Sequence, residues 1–176
     1  EKTEKACAFG TRCHELAEYV LMGGRSGAAH FPSDEKEELA YRCVRNAVRM
    51  LQERFKLISC EIVLFSPANG ISGTCDLLMR GKDGRYLLLD YKTNENLNKH
   101  HFNMGYEPFE DLKDNPMGHY SLQLSIYEYM LRHEGHVESD AVIDRAIIYI
   151  PPFNEMPEWI PLPLISQAAS LFNQTN

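Results

Sequence analysis

The feature that most constrains the fold of this chain is a pair of strand-like segments joined by a very short turn. Residues 71–79 and 85–92 are rich in apolar side chains and read as strands. Gly81-Lys82-Asp83-Gly84 connects them, and its last glycine suits the left-handed position of a three-residue hairpin loop. Counting outward from such a loop sets Asp76 opposite Asp90. A four-residue loop would shift the register by one residue, so this pairing depends on the turn.

The two aspartates would be direct cross-strand neighbours, about 5 Å apart at Cβ, and Lys92 would share the face of Asp90. Two carboxylates this close repel each other unless a proton or a divalent cation lies between them. Carboxylate oxygens suit Mg²⁺ or Mn²⁺, and a lysine beside such a cation can orient a water molecule or stabilise charge on a phosphate. The alternative is a ladder of charges on an exposed strand. The apolar runs that follow Asp76 and precede Asp90 favour the metal site.

The rest of the chain predicts an α/β fold. Helices are predicted over residues 4–22, from Ser33 or Asp34 to about Lys56, over 120–133 and near 166–172. Strands are predicted over 58–65 and 146–150, with a short piece near 159–164. The order α-α-β-β-β-α-β fits a central mixed β-sheet flanked by helices. We expect one domain over 1–176, made of N-terminal helices in 1–57, a core in 58–150 with an inserted segment at 94–118, and a C-terminal extension in 151–176.

The chain is acidic, with 18 Lys and Arg against 25 Asp and Glu and a net charge of −7. It therefore lacks the bulk positive field that favours nucleic acid, and a polyanionic partner must be met by metal ions or by a local basic patch. One coherent basic stripe lies on the second predicted helix, opposite its apolar side: Arg42, Arg45, Arg49 and Lys56. This stripe is either a solvated helix face or a surface that contacts phosphates.

The five cysteines favour a reducing compartment. Their number is odd, no C-x-x-C occurs, and each lies among apolar neighbours, as buried reduced thiols do. We therefore expect a protein of the cytoplasm or of another reducing compartment, with a phage or an organelle as candidate sources. No apolar run approaches the ~18 residues that a membrane span needs. No Walker A motif occurs, so a helicase partner would be a separate chain or region.

Four short blocks of the sequence carry a family resemblance. They are Gly10-Thr11-Arg12-Cys13-His14, Gly73-Thr74-Cys75-Asp76, Leu89-Asp90-Tyr91-Lys92-Thr93 and Tyr120-Ser121-Leu122-Gln123-Leu124-Ser125-Ile126-Tyr127. Together the blocks resemble the PD-(D/E)XK nucleases, and most of all their RecB-like branch. A bare Asp…Asp-x-Lys pattern is a weak signal, whereas four blocks in the family's order, across roughly residues 9–130, are a strong one. The resemblance implies a restriction-endonuclease-like core and a metal-dependent nuclease.

The resemblance implies a metal centre built from the first three blocks. Asp76 and Asp90 would bind Mg²⁺ or Mn²⁺ through their carboxylates. Tyr91 would bind the cation through its backbone carbonyl, and His14 would be a further ligand. Lys92 would position the attacking water.

The resemblance also implies a substrate surface and supporting residues. Gln123 and Tyr127 match the family's Gln-x-x-x-Tyr helix, which lines the active site and contacts DNA. Thr93 is either strand filler or a phosphate contact. Glu61 matches a carboxylate often found on the preceding strand. Glu18, one helical turn after the histidine of the first block, either orients the imidazole or faces water.

The expected activity is hydrolysis of DNA phosphodiester bonds, by an exonuclease that acts on single-stranded DNA or on duplex ends in repair or recombination. One alternative is a structure-specific endonuclease of the same fold. Another is a non-catalytic nucleic-acid-binding module, against which the intact Asp76, Asp90 and Lys92 argue. Some RecB-like members hold an iron–sulfur cluster through cysteines after the Gln-x-x-x-Tyr helix. No cysteine follows Cys75 here, so we expect no cluster.

The polar segment 94–118 lacks strong periodicity and is predicted to be an insertion over one face of the domain. Its aromatic residues Phe102, Tyr106 and Phe109 lie among basic and amide residues. Such a mixture either stacks single-stranded bases or pins the loop to the domain. The pair His100-His101 is a loop, a DNA contact or a second metal site. Our hypothesis is that this segment acts as a gate or as a guide for a single strand.

Overall fold

The computed structural model describes residues 2–24, 32–94, 97, 102–151 and 153–172. Its elements are, in chain order, α1 (Lys2–Leu21), α2 (Glu35–Arg54), β1 (Phe55–Ser66), β2 (Ile71–Gly81), β3 (Tyr86–Lys92), α3 (Pro116–His133), β4 (Ile143–Tyr149) and β5 (Glu158–Pro161). Short 3-10 helices follow β1 at Pro67–Asn69 and β5 at Ser166–Leu171. The predicted order of elements is confirmed, and the short extended piece near the C-terminal end is a fifth strand.

The five strands form one sheet in the order β1-β2-β3-β4-β5. All neighbours are antiparallel except β3 and β4, which are parallel. A parallel step needs a long crossover, and the chain between β3 and β4 supplies it with α3. The predicted α/β fold with a central mixed sheet is therefore confirmed. None of the helices that the structure describes is long and apolar enough to cross a lipid bilayer.

Each face of the sheet carries its own hydrophobic core. α1 and α2 pack on one face, against Leu87 and Leu89 among others. α3 and the last 3-10 helix pack on the other face, against Leu88 and Ile147 among others. Successive side chains of a strand point to opposite faces, so β3 feeds both cores in turn. Each of these leucines contributes about 1.5–3 kcal/mol by its burial, which explains the unbroken apolar run in this strand.

The turn between β2 and β3 has the predicted register. Leu77 pairs with Leu89 on the two strands. Gly81 N donates to the carbonyl oxygen of Arg85 at 2.8 Å, which closes the loop. Gly84 has a φ of 85°, a left-handed backbone that residues with a Cβ rarely adopt. The three-residue loop therefore sets the two aspartates of the hairpin opposite each other, as local turn chemistry predicts.

α2 ends earlier than predicted. Asp34 caps its first turn by accepting a hydrogen bond from Glu37 N at 2.8 Å, but the helix stops at Arg54. Phe55 and Lys56, predicted to lie on the helix, are the first two residues of β1 and pair with the end of β2. The prediction was wrong because pairing with a distant strand overrides the local periodicity here. Lys56 therefore lies outside the basic stripe of α2.

α3 begins earlier than the predicted residue 120, at Pro116. Asn115 is its N-cap and accepts a hydrogen bond from Gly118 N at 2.8 Å. Proline suits the first helical position because its missing N–H would have no partner there. β4 likewise begins at Ile143, which pairs with Tyr86, rather than at 146. Both elements are longer than their apolar periodicity predicted.

Candidate active site

Three carboxylates lie side by side across the first three strands. Asp76 lies on β2, and the pairs that flank Glu61 in the β1–β2 register set Glu61 opposite it on β1. The β2–β3 register sets Asp90 opposite Asp76 on the other side. The side chains of Asp76 and Asp90 are close enough to influence each other's pKa, and they can share a hydrogen bond when one of them is protonated. We call these three residues the carboxylate row.

The backbone of Glu61 is in an uncommon conformation. Its φ is 49°, and among the residues that the structure describes it is the only non-glycine with a positive φ. A left-handed backbone costs a residue with a Cβ about 1–2 kcal/mol. Strain of this kind is maintained where the surrounding structure over-determines it, which is common at functional sites. Glu61, the residue with this strained backbone, is the one whose carboxylate lies beside Asp76.

α1 adds an imidazole to the carboxylate row. His14 Nδ1 lies 3.3 Å from Asp76 Oδ1, and the imidazole ring stands edge-on to the ring of Tyr91, with 5.9 Å between centroids. His14, Glu61 and Asp76 each offer one ligand atom, and these atoms all lie within 4.8 Å of one another. One nitrogen and two carboxylate oxygens at this spacing fit a divalent cation. Because these three candidate donors come from α1, β1 and β2, folding brings them together.

The two aspartates of the site have pKa values that are shifted in opposite directions. Burial raises the pKa of Asp90 to about 7, and the charge of Asp76 adds to the effect. Burial acts on Asp76 too, but His14 and the amide of Tyr91 outweigh it and hold the pKa of Asp76 below its ordinary value. That amide donates to Asp76 Oδ2 at 2.7 Å. One member of the pair is therefore ionised, while the other exchanges a proton near neutral pH.

The histidine responds to the same carboxylates. Burial lowers the pKa of His14, but the neighbouring Asp76 and Asp90 outweigh burial and raise the pKa above its ordinary value. Burial, then the charges of Asp76 and Glu18, raise the pKa of Glu61. Glu18 thus influences the site through its charge, and it is not among the three donors of the candidate metal group. A cation would replace protons on these groups and relieve their mutual repulsion.

Lys92 is held between two partners. Its Nζ forms an ion pair with Asp90, and it lies 4.5 Å from the ring centroid of Tyr120 on α3. Burial lowers the pKa of Lys92, but Asp90 outweighs burial and raises it, so the amine is charged at neutral pH. The role of Tyr120 was not predicted. Tyr120 precedes Gln123 by three residues and Tyr127 by seven, so the three side chains share one helix face. This spacing is the sequence feature that could have predicted a place for Tyr120 in the site.

Two glycines allow the helices to approach the strands closely. A Cβ on Gly73 would lie 2.5 Å from Cε1 of Tyr127, so this glycine admits the tyrosine of α3 against β2. A Cβ on Gly10 would lie 3.2 Å from Oγ1 of Thr93, so this glycine lets α1 approach the end of β3. Gln123 Nε2 donates to the hydroxyl of Tyr127 at 2.9 Å. The four sequence blocks therefore meet in space, each through a specific contact.

The predicted metal ligands and the observed donor group differ in membership. His14 and Asp76 belong to both. Glu61, a candidate for a supporting role in the sequence, completes the observed group. Asp90 contacts Lys92 and Asp76, while Tyr91 offers its amide to Asp76. Metal coordination by Asp90 and by the carbonyl of Tyr91 stays a prediction.

Two arginines of the basic stripe on α2, Arg42 and Arg49, have local partners. Arg42, Arg45 and Arg49 are exposed. Arg42 forms ion pairs with Glu38 at 3.2 Å and with Glu155 at 3.6 Å, which reduce the positive charge that it offers to phosphates. Their contact with phosphates stays a prediction.

The inserted segment folds back on itself. Asn103 and Lys113 form an antiparallel bridge, which closes a loop between them. Phe109 is buried, and the ring of Tyr106 stands edge-on to it with 6.2 Å between centroids. Phe102, in contrast, is 92% exposed. Phe109 therefore pins the loop, while the pair His100-His101 lies outside the described residues.

The comparison with known protein families agrees with this geometry. A model of the PD-(D/E)XK nuclease superfamily matches residues 1–159, a range that includes all four blocks. A search of curated proteins finds no match to the chain. The chain therefore belongs to the PD-(D/E)XK nuclease superfamily, whose members are phosphodiester hydrolases that use divalent metal ions.

Proposed function

We propose that the chain is a metal-dependent deoxyribonuclease of the RecB-like branch, and that it acts as an exonuclease on single-stranded DNA or duplex ends. The observation that carries this proposal is the convergence of His14, the carboxylate row and Lys92 where α1 meets the first three strands. The packing of Tyr127 of the Gln-x-x-x-Tyr helix against Gly73 supports the assignment to the branch. Repair or recombination beside a separate helicase would suit this activity.

His14, Glu61 and Asp76 would hold the cation, as their nitrogen and oxygen donors fit Mg²⁺ or Mn²⁺. The bound cation supplies Lewis-acid stabilisation of charge on the phosphate and lowers the pKa of water. The amide of Tyr91 fixes Oδ2 of Asp76. Its other oxygen, Oδ1, faces the imidazole. These two contacts would fix the orientation of the Asp76 carboxylate before substrate binds.

Lys92 would hold the attacking water and stabilise charge on the phosphate. Its ammonium is fixed between Asp90 and Tyr120, so little reorganisation is needed when charge develops. Asp90, with its raised pKa, is suited to take up a proton from that water near neutral pH. These roles need one charged lysine and one carboxylate that titrates, which is the pair that the site contains.

The test is digestion of a fluorescently labelled single strand with Mg²⁺, Mn²⁺ or EDTA. Strands labelled at the 5′ or the 3′ end are compared for the wild type, Lys92→Ala and the exposed control Lys82→Ala. We expect metal-dependent cleavage that Lys92→Ala abolishes and Lys82→Ala retains. Immediate release of short products from one labelled end shows an exonuclease and its polarity, whereas internal fragments show an endonuclease. DNA binding without cleavage under either metal would contradict the proposal and favour a non-catalytic module.

A further inference from the structure

A cavity of about 310 Å³ lies beside the pair Gln123 and Tyr127. Its walls come from three places: the start of β2 with Ile71, the outer side of α3, and the inserted loop with Met104 and Tyr106. Its volume is at the lower end of the range for small-molecule pockets. One planar ring system therefore fits in it. We call it the loop cavity.

The loop cavity has an open aromatic wall. Tyr106 is 56% exposed, and Phe109 supports its ring from the side. The loop is held to α3 by a hydrogen bond of 2.7 Å between His119 Nε2 and Asp114 Oδ1. The ring is therefore held in place and offers a flat surface. Base–aromatic stacking of this kind tolerates any base, because every base has a π-face.

The loop cavity also has a polar group that can meet the edge of a base. Gln123 uses one N–H of its amide on the hydroxyl of Tyr127. Its second N–H and its carbonyl oxygen remain for a ligand, since no other hydrogen bond of this side chain is found among the described residues. The other wall residues are mainly apolar. A planar group with a polar edge matches this lining.

The loop cavity is connected to the candidate active site. Tyr127 is part of its wall and packs on Gly73, three residues before Asp76. Ser72 also lines it, four residues from Asp76 along β2, or about 13 Å. A few nucleotides of a single strand span such a distance. In a duplex the bases are paired and stacked, so entry into the cavity would need base flipping.

We propose that the loop cavity receives one unpaired nucleobase of the DNA strand, a few nucleotides from the phosphate that is cut. The base stacks on Tyr106, and Gln123 meets its edge. This proposal rests on the proposed nuclease function and adds to it a preference for single-stranded DNA. It also gives the inserted segment a role as part of the binding surface.

The test uses 2-aminopurine, whose fluorescence is quenched by stacking. Single strands carry it at successive positions from the end, and they are bound with Mn²⁺ to the Lys92→Ala protein, which does not cut them. We expect quenching at one position, lost with Tyr106→Ala and kept with Tyr106→Phe. Phe102→Ala, a change in the same loop at a residue outside the cavity wall, should leave the quenching intact. No quenching, equal quenching at all positions, or quenching that survives Tyr106→Ala would overturn the proposal.

Cleavage kinetics separate this proposal from the proposed function. With intact Lys92, Tyr106→Ala should raise KM for a single strand at least about fivefold with kcat retained, which is the low end of the loss of one stacked base. The KM for a duplex end of the same length should change less. Lys92-dependent cleavage with unchanged KM in Tyr106→Ala would reject the loop cavity alone. A wild-type protein that neither binds nor cuts the strand would reject both. Circular dichroism melting checks that each variant is folded.

Discussion

At the scale of single residues, Asp76 joins three elements by itself. One of its oxygens accepts the amide of Tyr91 from β3, and the other faces His14 of α1. Glu61 of β1 lies on its remaining side. The motif predicted that Asp76 and His14 lie in one site, because the matching sequence blocks come together in the fold of the family. It did not predict the place of Glu61 in the donor group, which depends on a left-handed backbone that no local pattern indicates.

The raised pKa of Asp90 predicts that metal binding is pH-dependent. The metal-free site holds a proton on this carboxylate below about pH 7, and a cation bound beside it at Asp76 would favour the ionised form, so that binding releases the proton. Mn²⁺ affinity should therefore fall by up to tenfold per pH unit as the pH drops from 7 to 5, and the raised pKa of His14 should deepen the fall. Titration calorimetry in buffers of different ionisation heat measures the protons released. A Mn²⁺ affinity that is constant between pH 7 and pH 5 would contradict binding of the cation beside Asp90 and His14.

At the scale of elements, the sequence predicts well those boundaries that are set by turn and capping residues. The loop that ends at Gly84 sets its own register by its φ, and Asp34 marks the start of α2. The end of α2 is different, because Phe55 continues an apolar stripe and only pairing with β2 makes it a strand residue. The start of α3 was marked by Asn115 and Pro116, a signal that apolar periodicity missed.

The close approach of α3 to β2 predicts the effect of Gly73→Ala. The added methyl would overlap the ring of Tyr127, so the ring, α3 or β2 must shift. The variant should lose about 1–3 kcal/mol in the free energy of unfolding, as overpacked sites do, together with most of its activity. Urea denaturation measures the first effect. The double variant Gly73→Ala/Tyr127→Ala provides the check, because its cost should be less than the sum of the two single costs if this contact is responsible.

The junction of α1 and α2 predicts a second stability effect. Glu37 is 5% exposed, accepts hydrogen bonds from the amide and hydroxyl of Ser33, and pairs with Arg12 of α1. Burial raises its pKa, but these partners outweigh burial and hold the pKa below its ordinary value. Its stabilisation is therefore present above the ordinary glutamate pKa and is lost as the pH falls through the lowered one.

Glu37→Gln should consequently cost about 1–3 kcal/mol at pH 7, and less at pH 3.5. Urea denaturation at the two pH values measures the difference. Glu35→Gln, an exposed carboxylate in the same helical turn, is the matched control and should have little effect at either pH. An equal cost for Glu37→Gln at both pH values would show that packing, and not charge, explains its burial.

At the scale of the whole molecule, the candidate site takes side chains from the helices on both faces of the sheet. α1 brings His14 from one side of the sheet, and α3 brings Tyr120 and Tyr127 from the other. The strands between them carry the carboxylates. The sequence blocks predicted four of the elements that take part, α1, β2, β3 and α3, whereas Glu61 of β1 lies outside the blocks. They could not predict that Lys92 is held by a ring of α3, because this contact depends on how the two layers pack.

The origin of the donor group in three elements predicts that the metal stabilises the fold. The unfolded chain does not hold His14, Glu61 and Asp76 together, so a cation binds the folded state preferentially. At a concentration of 100 Kd, Mn²⁺ should add about 2.7 kcal/mol to the free energy of unfolding and raise Tm. Thermal melts with Mn²⁺ or EDTA measure this shift. Asp76→Asn should abolish it, whereas the exposed Asp140→Asn should not, and a shift that survives Asp76→Asn would place the cation elsewhere.

The left-handed backbone at Glu61 has a consequence for how sequences at this site respond to selection. Glycine adopts this conformation without a steric penalty, and asparagine does so more easily than glutamate. In a library randomised at position 61 and sorted for folding alone, these two residues should replace glutamate. Sorted for cleavage, the same library should keep a carboxylate. The residue found at position 61 would then show whether a population had been selected for folding or for cleavage.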